Sequence, residues 1–228
     1  MSARHTRGAR APAAGQRRAQ GGDFRVRIIG GTHRGRIVRF RGAGPVRPTP
    51  DRVRETLFNW LGQDLTGRTT LEPFAGSGVL SLEALSRGAS RSVAIDRDAA
   101  TAKALRANAD ALGLAALEVA CRDAFATLAG ESRHFDAIFL DPPYAFDAWP
   151  ALFAACLPRL AADGAIYAEA GHPLAPPPGL VVTREGRAGA VRFHLLHRAA
   201  QALREPDAAP VGTLVPGRGS ADPEGTPC

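Results

Sequence analysis

From residue 69 to residue 161 the chain repeats one cadence four times: a short, nearly continuous apolar run, then a longer stretch whose apolar residues recur at helical spacing. Runs near 69–74, 91–95, 117–120 and 135–140 predict strands, and the stretches near 78–87, 98–112, 123–129 and 147–161 predict helices. A strand that is apolar along its length must be covered on both faces, and a strand-helix-strand succession requires crossover connections. The expected fold is therefore α/β, a Rossmann-like, mostly parallel sheet wound on both sides. Three further runs, 165–168, 180–184 and 191–197, have no long helix between them, and a turn over 185–189 joins the last two. An antiparallel hairpin should close the sheet.

The region ahead of this unit is different in kind. Residues 1–22 are rich in Arg, Ala, Gly and Gln and hold almost no large apolar side chain, so a disordered basic arm is expected. From Phe24 the pattern has period two, with Phe24, Val26 and Ile28 on one face and Arg25 and Arg27 on the other. The glycine-rich turn 30–35 and a second run through Phe40 complete an N-terminal β-hairpin, assigned with its linker to 23–48. A helix should start after that linker, with Thr49 as N-cap, Pro50 at the first helical position and Asp51 in the first turn. Val53, Leu57, Trp60 and Leu61 would pack inward, leaving Arg52, Arg54 and Glu55 available. The catalytic unit is assigned to 49–198, and 199–228, dominated by Pro, Gly and Asp, to a disordered tail.

Charge sharpens the division. Residues 1–54 carry 14 arginines against Asp23 and Asp51, a balance of +12, so the whole-chain figure of +7 leaves −5 for the rest. A basic front end on a neutral-to-acidic body fits a protein that meets a nucleic acid with one end. Other classes drop out. No apolar run approaches the ~18 residues of a membrane span, and Cys121, Cys156 and Cys228 are too few and too scattered for a disulfide framework or a zinc site. None of the six histidines pairs at zinc-helix spacing, so no metal is expected; His33 reads as a turn residue. A cytoplasmic protein is expected.

Three places carry chemistry. Glu72, Phe74, Ala75, Gly76, Ser77 and Gly78 follow the first sheet strand and open a helix, where an open α/β sheet binds its ligand. The glycines lack full dinucleotide spacing, and no Lys stands where a phosphate loop needs one, so a nucleoside cofactor is favoured over NAD or ATP. Asp96, ending the next strand 18 residues after Gly78, suits an acceptor for ribose hydroxyls. Asp123 can reach an adenine amine or cap the next helix. The sharpest signal is Asp141-Pro142-Pro143-Tyr144, directly after the apolar run 135–140. An exocyclic amine on a nucleobase is a weak nucleophile because its lone pair is delocalised. The Asp141 carboxylate and the Pro142 carbonyl, held at a fixed angle by consecutive prolines, can bind both amine hydrogens and turn the lone pair outward. Tyr144 supplies a flat face for a flipped base.

With these residues in place, the chain resembles the bacterial 16S rRNA guanine-N2 methyltransferases of the small subunit, the RsmD family, within the class I S-adenosylmethionine-dependent methyltransferases. The resemblance runs from about Arg27 to Arg198. It is carried by Arg27-Ile28-Ile29-Gly30-Gly31, Arg34-Gly35-Arg36, Arg47-Pro48-Thr49, the stretch 51–61, Phe74-Ala75-Gly76-Ser77-Gly78, the stretch 82–89 and Asp141-Pro142-Pro143-Tyr144. It implies a seven-stranded sheet with a C-terminal hairpin, and methyl transfer from S-adenosylmethionine to the 2-amino group of one guanine. By position, Glu72 to Gly78 would cradle the methionine part, Asp96 would hold the ribose and Asp123 the adenine, with Arg97 and Ala124 beside them among the cofactor-binding residues, while Thr49 with its neighbours closes over the cofactor. Glu72 stands where the family usually has Asp, Pro73 where it has an aliphatic residue, and Asp96 where Glu is commoner. Arg25, Arg27, Arg34 and Arg36 of the hairpin, with Arg47, Arg52 and Arg54, are expected to grip RNA phosphates. The implied partner is 16S rRNA in the small subunit or its assembly intermediates, met by a monomer. Two rivals remain: a DNA N6-adenine methyltransferase, disfavoured by the lack of a long insertion for target recognition, and an idle RNA-binding assembly factor, disfavoured by the intact corner at 141–144.

Overall fold

The computed structural model describes residues 23–41 and 49–202; the arm 1–22, the stretch 42–48 that includes Arg47, and residues 203–228 lie outside the described residues. Strand β1 (Asp23–Arg27) pairs antiparallel with β2 (Ile37–Arg41), with Arg27 opposite Ile37 and Phe24 opposite Phe40. The period-two pattern holds: Val26, Ile28, Val38 and Phe40 are buried, and Arg25 and Arg27 are exposed. A short 3-10 turn, Gly31–His33, joins the strands.

Helix α1 spans Asp51–Trp60. Its N-cap position is Pro50, whose carbonyl accepts from Val53 and Arg54, so the expected capping role of Thr49 fails by one residue. The Thr49 hydroxyl is engaged elsewhere, on Glu169.

The main sheet follows in the anticipated cadence: β3 (Thr69–Glu72), α2 (Val79–Ser86), β4 (Arg91–Asp96), α3 (Ala99–Leu112), β5 (Leu117–Cys121), α4 (Ala124–Gly130), β6 (Phe135–Leu140), α5 (Trp149–Cys156), β7 (Leu160–Ala170), β8 (Leu180–Ala188) and β9 (Val191–Arg198). Its seven strands lie in the order β5-β4-β3-β6-β7-β9-β8, parallel up to β7, with β9 antiparallel to both neighbours. This is the Rossmann-like sheet with a terminal hairpin.

Three boundaries differ from expectation. α5 ends at Cys156 and passes into a 3-10 turn, Leu157–Arg159, because Pro158 has no N–H to continue the helix. β7 begins five residues early, since Leu160 pairs with Phe135 across a bulge before the regular ladder starts at Ala165. The β8–β9 connection is a two-residue turn at Gly189-Ala190; Gly189, at φ 62°, supplies the left-handed conformation that so tight a turn requires. Beyond β9, Ala199–Ala202 forms a helical turn, α6, where a tail was expected.

One buried cluster joins Val26, Ile28, Val38 and Phe40 of the hairpin to Leu57 and Phe58 of α1, Leu80 and Leu82 of α2, and Leu105 of α3. A second, on the other face, joins Leu128, Trp149, Leu152 and Phe153 of α4 and α5 to Ile138 and Leu140 of β6. The hairpin thus shares a core with the catalytic unit. The polar tie is Glu83, fully buried on α2: it accepts from the Ile29 N–H at 2.9 Å, from Arg54 at 3.1 Å and from Arg87 at 2.9 Å. Among the described residues, no helix is long and apolar enough to cross a membrane.

Candidate active site

Strand β3 has β4 on one side and β6 on the other, so chain order reverses about it and a crevice opens beyond the carboxyl ends of the strands. Every parallel strand delivers an acid to that edge: Glu72 from β3, Asp96 from β4, Asp123 just after β5, Asp141 just after β6 and Glu169 near the end of β7.

The loop after β3 is built for close approach. Ala75 N–H donates to the Ile95 carbonyl at 2.8 Å and Gly78 N–H to the Ala75 carbonyl at 2.6 Å, folding the loop back before α2 starts. Gly76 and Gly78 have φ of 49° and 66°. A Cβ on Gly78 would stand 2.3 Å from Leu105, whereas a Cβ on Gly76 would meet nothing within 4 Å, because that face opens on the cleft. The Asp96 carboxylate accepts from the N–H groups of Gly76 at 2.9 Å and Asp98 at 2.8 Å, so it already orients the loop. Asp123 caps α4, accepting from Ala126 N–H at 3.0 Å, and is exposed on the same edge; Ala124 behind it is buried. Arg97 is exposed beside Asp96.

The cleft holds a cavity of about 80 Å³ lined by Phe40, Thr49, Glu72, Phe74, Ala75, Gly76, Ser77, Val79, Leu80 and Asp141. Its floor is acidic. Glu72 is buried and accepts from Ser81 N–H in the first turn of α2 at 3.0 Å. Desolvation pushes its carboxyl up to about 8; the adjacent Ser81, whose N–H it accepts, works against this, and the nearby Asp141 and Asp96 add to it. Asp141 is exposed on the cleft, with close-packed protein behind it. Desolvation pushes it up to about 6, and Thr49 stands close enough to pull it the other way, although its single hydroxyl proton goes to Glu169 at 3.0 Å. Burial pushes Glu169 up to about 8 and Asp141 repels it further, while the hydroxyls of Thr49 and Tyr167, the latter at 2.9 Å, hold it.

Pro142 is buried and Pro143 exposed; the Pro143 carbonyl accepts from Phe146 N–H at 2.8 Å, closing the turn. Tyr144 is 79% exposed, its ring lying so close over Gly171 that a Cβ there would stand 2.9 Å from it. Phe146 meets Phe74 edge-on at 5.6 Å and stacks on Phe125 at 6.4 Å, so an aromatic rim links the glycine loop to the Asp123 loop.

The structure therefore gathers Thr49, Glu72, Phe74, Ala75, Gly76, Ser77 and Asp141 around one cavity, with Asp96 hydrogen-bonded to it and Asp123 farther along the edge. Sequence reasoning missed Phe40, which walls the cleft from the hairpin, Phe146 and Glu169; a lone acid in the apolar run of β7 was the available signal for the last. Of the arginines assigned to RNA, Arg25, Arg27, Arg34, Arg36 and Arg52 are exposed. Arg54 is not: it is fully buried, paired with Glu83 at 3.1 Å and Asp51 at 2.6 Å, with its Nε on the Thr49 carbonyl, so its charge is neutralised within the fold.

A switch-point glycine loop, strand-end acids and an Asp-Pro-Pro-Tyr corner beside them, on a seven-stranded sheet ending in a hairpin, define a methyltransferase of the class I kind. The chain belongs to the family described as Conserved hypothetical protein 95, the RsmD family, whose model matches residues 26–197. It is 36% identical over 192 residues to ribosomal RNA small subunit methyltransferase D of Escherichia coli (strain K12), covering 82% of this chain and 96% of that protein. The protein of the same name from Haemophilus influenzae is 36% identical over 178 residues, covering 75% and 92% respectively. The solved structure of yhhF from Escherichia coli superposes with a TM-score of 0.70 at 35% identity, covering 78% of this chain and 100% of that one.

Proposed function

We propose that this enzyme transfers a methyl group from S-adenosylmethionine to the exocyclic 2-amino group of one guanine in small-subunit ribosomal RNA, acting as a cytoplasmic monomer on the small subunit or its assembly intermediates. The observation that carries the reading is the Asp141 corner opening on the same cavity as the Gly76 loop, so that an amine held at one meets a methyl donor held at the other. The names of the relatives support ribosomal RNA as the substrate.

The residues fit the cofactor. Gly76 leaves the approach to the loop unobstructed, Asp96 and Asp123 are acceptors at the positions for ribose and adenine, and the acids Glu72 and Asp141 favour a cationic ligand between them. When bound, the cofactor supplies an electrophilic methyl on a sulfonium. Asp141 and the Pro142 carbonyl accept hydrogen bonds from the two amine N–H groups and so direct the nitrogen lone pair, with Asp141 placed to receive the one proton the nitrogen loses on methylation; Tyr144 stacks the flipped base; Arg25, Arg27, Arg34, Arg36 and Arg52, with Arg47, meet the phosphates.

The test is to incubate the enzyme with labelled S-adenosylmethionine and, in parallel, unmodified small-subunit particles, naked 16S rRNA and duplex DNA, and to identify the methylated nucleoside by mass. N2-methylguanosine from the RNA substrates is expected. N6-methyladenosine, or label in DNA, would overturn the reading.

A further inference from the structure

The larger of the two described cavities is not the catalytic one. It measures about 330 Å³, lies between the N-terminal hairpin and the start of α1, and is lined by Arg25, Val26, Arg27, Ile37, Thr49, Pro50 and Asp51. It is a broad, open depression rather than an enclosed pocket, a shape that suits an extended chain more than a small free ligand. Thr49 lines both cavities, so the two lie on either side of one residue.

Ile37 is the informative side chain. It sits opposite Arg27 in the hairpin register, on the arginine face, and is 49% exposed, while Val38 and Phe40 fill the inward positions. Its exposure is therefore not an overflow from the core. Among the described residues the only other exposed large apolar side chain is Tyr144, at the catalytic corner. Exposed apolar surface among cations is what a nucleobase and its phosphate require together. The one acid lining the cavity does not oppose a phosphate: Asp51 is paired with Arg27 at 3.1 Å and with Arg54 at 2.6 Å, and among the described residues Arg25 is the cation at this rim without an acidic partner.

Resting on the methyltransferase reading above, we propose that this second cavity seats the nucleotide adjacent to the target guanosine, its base against Ile37 and Pro50 and its phosphate on Arg25. The enzyme then grips two successive nucleotides, and the flanking one adds to RNA affinity rather than to turnover.

The neutral variant Ile37→Ser and the charge variant Arg25→Gln separate the two contacts. Steady-state methylation of unmodified small-subunit particles should show KM raised about five- to tenfold in each, with kcat at saturation and cofactor affinity within about twofold of wild type. Binding of a single-stranded oligoribonucleotide should weaken in parallel. Its dependence on salt should keep the wild-type slope for Ile37→Ser and fall by about one for Arg25→Gln. Because Arg25 is already assigned to phosphate, Ile37→Ser decides: wild-type turnover with unchanged KM in that variant overturns the second cavity alone, whatever Arg25→Gln does. A loss on particles with no loss on the oligoribonucleotide marks a ribosomal-protein contact and overturns the nucleotide assignment. A wild-type enzyme that methylates no RNA overturns the underlying reading.

Discussion

The hydroxyl of Thr49 donates a 3.0 Å hydrogen bond to the carboxylate of Glu169, 120 residues away in sequence, and Tyr167 donates to the same oxygen at 2.9 Å. The entry to α1 is thereby fastened to the floor of the cleft beside Asp141. Thr49→Val keeps the shape but removes one donor from a buried carboxylate, at a cost of about 1–3 kcal/mol. For a chain of this size that lowers the melting temperature by roughly 2–10 °C. Turnover should fall with it, and Thr49→Ser should restore both; thermal melts and methylation rates check this.

Asp141→Asn preserves size while replacing a charged acceptor by an amide that also presents donors. On the proposed reading Asp141 holds the target amine, so turnover should drop by about 10²–10⁴-fold, with S-adenosylmethionine affinity changed only a few-fold. Single-turnover rates and calorimetric titration give the two quantities. Equal loss of both would make Asp141 structural.

What the sequence disclosed was whatever is contiguous in it. The apolar run that became β6 and the four residues after it declare a strand and a rigid acidic corner without reference to anything distant. Phe40 and Glu169 gave no such notice, because they join the cleft through contacts between residues far apart in the chain. Arg54 misled for a related reason. Its spacing to Leu57 and Phe58 places it on the buried face of α1, but an arginine reads as exposed unless its counter-charge is known, and Glu83 lies 29 residues on, in a helix buried along its whole length.

That burial separates two neighbouring arginines. Arg54→Leu leaves Glu83 with less compensation in the interior and removes the anchor on the Thr49 carbonyl, so a loss of about 3–5 kcal/mol is expected. Arg52 is exposed, and Arg52→Glu should leave the melting temperature nearly unchanged. It should weaken RNA affinity and flatten the slope of log affinity against log salt by roughly one to two. Denaturant unfolding and RNA titration at several salt concentrations distinguish the two.

The acidic floor ties cofactor binding to pH. Glu72 and Glu169 are pushed up to about 8 and Asp141 to about 6, above their ordinary values of 4.5 and 3.8, principally by desolvation. The folded empty enzyme therefore holds protons that the unfolded chain has released. The stability these groups contribute is full below their ordinary values of 4.5 and 3.8 and is lost progressively as pH rises from there through the raised values of about 6 to 8. Glu169→Gln should accordingly raise the melting temperature at pH 9 and leave it nearly unchanged at pH 4. A ligand carrying positive charge into the cleft favours the ionised forms, so binding must expel protons and affinity must climb with pH over the same interval. Calorimetric titration with S-adenosylmethionine at pH 7 in phosphate and in Tris should give enthalpies that differ by the release of about one proton. S-adenosylhomocysteine, without the sulfonium charge, should release fewer. An enthalpy independent of the buffer would mean that the three carboxyls are already ionised before the cofactor arrives.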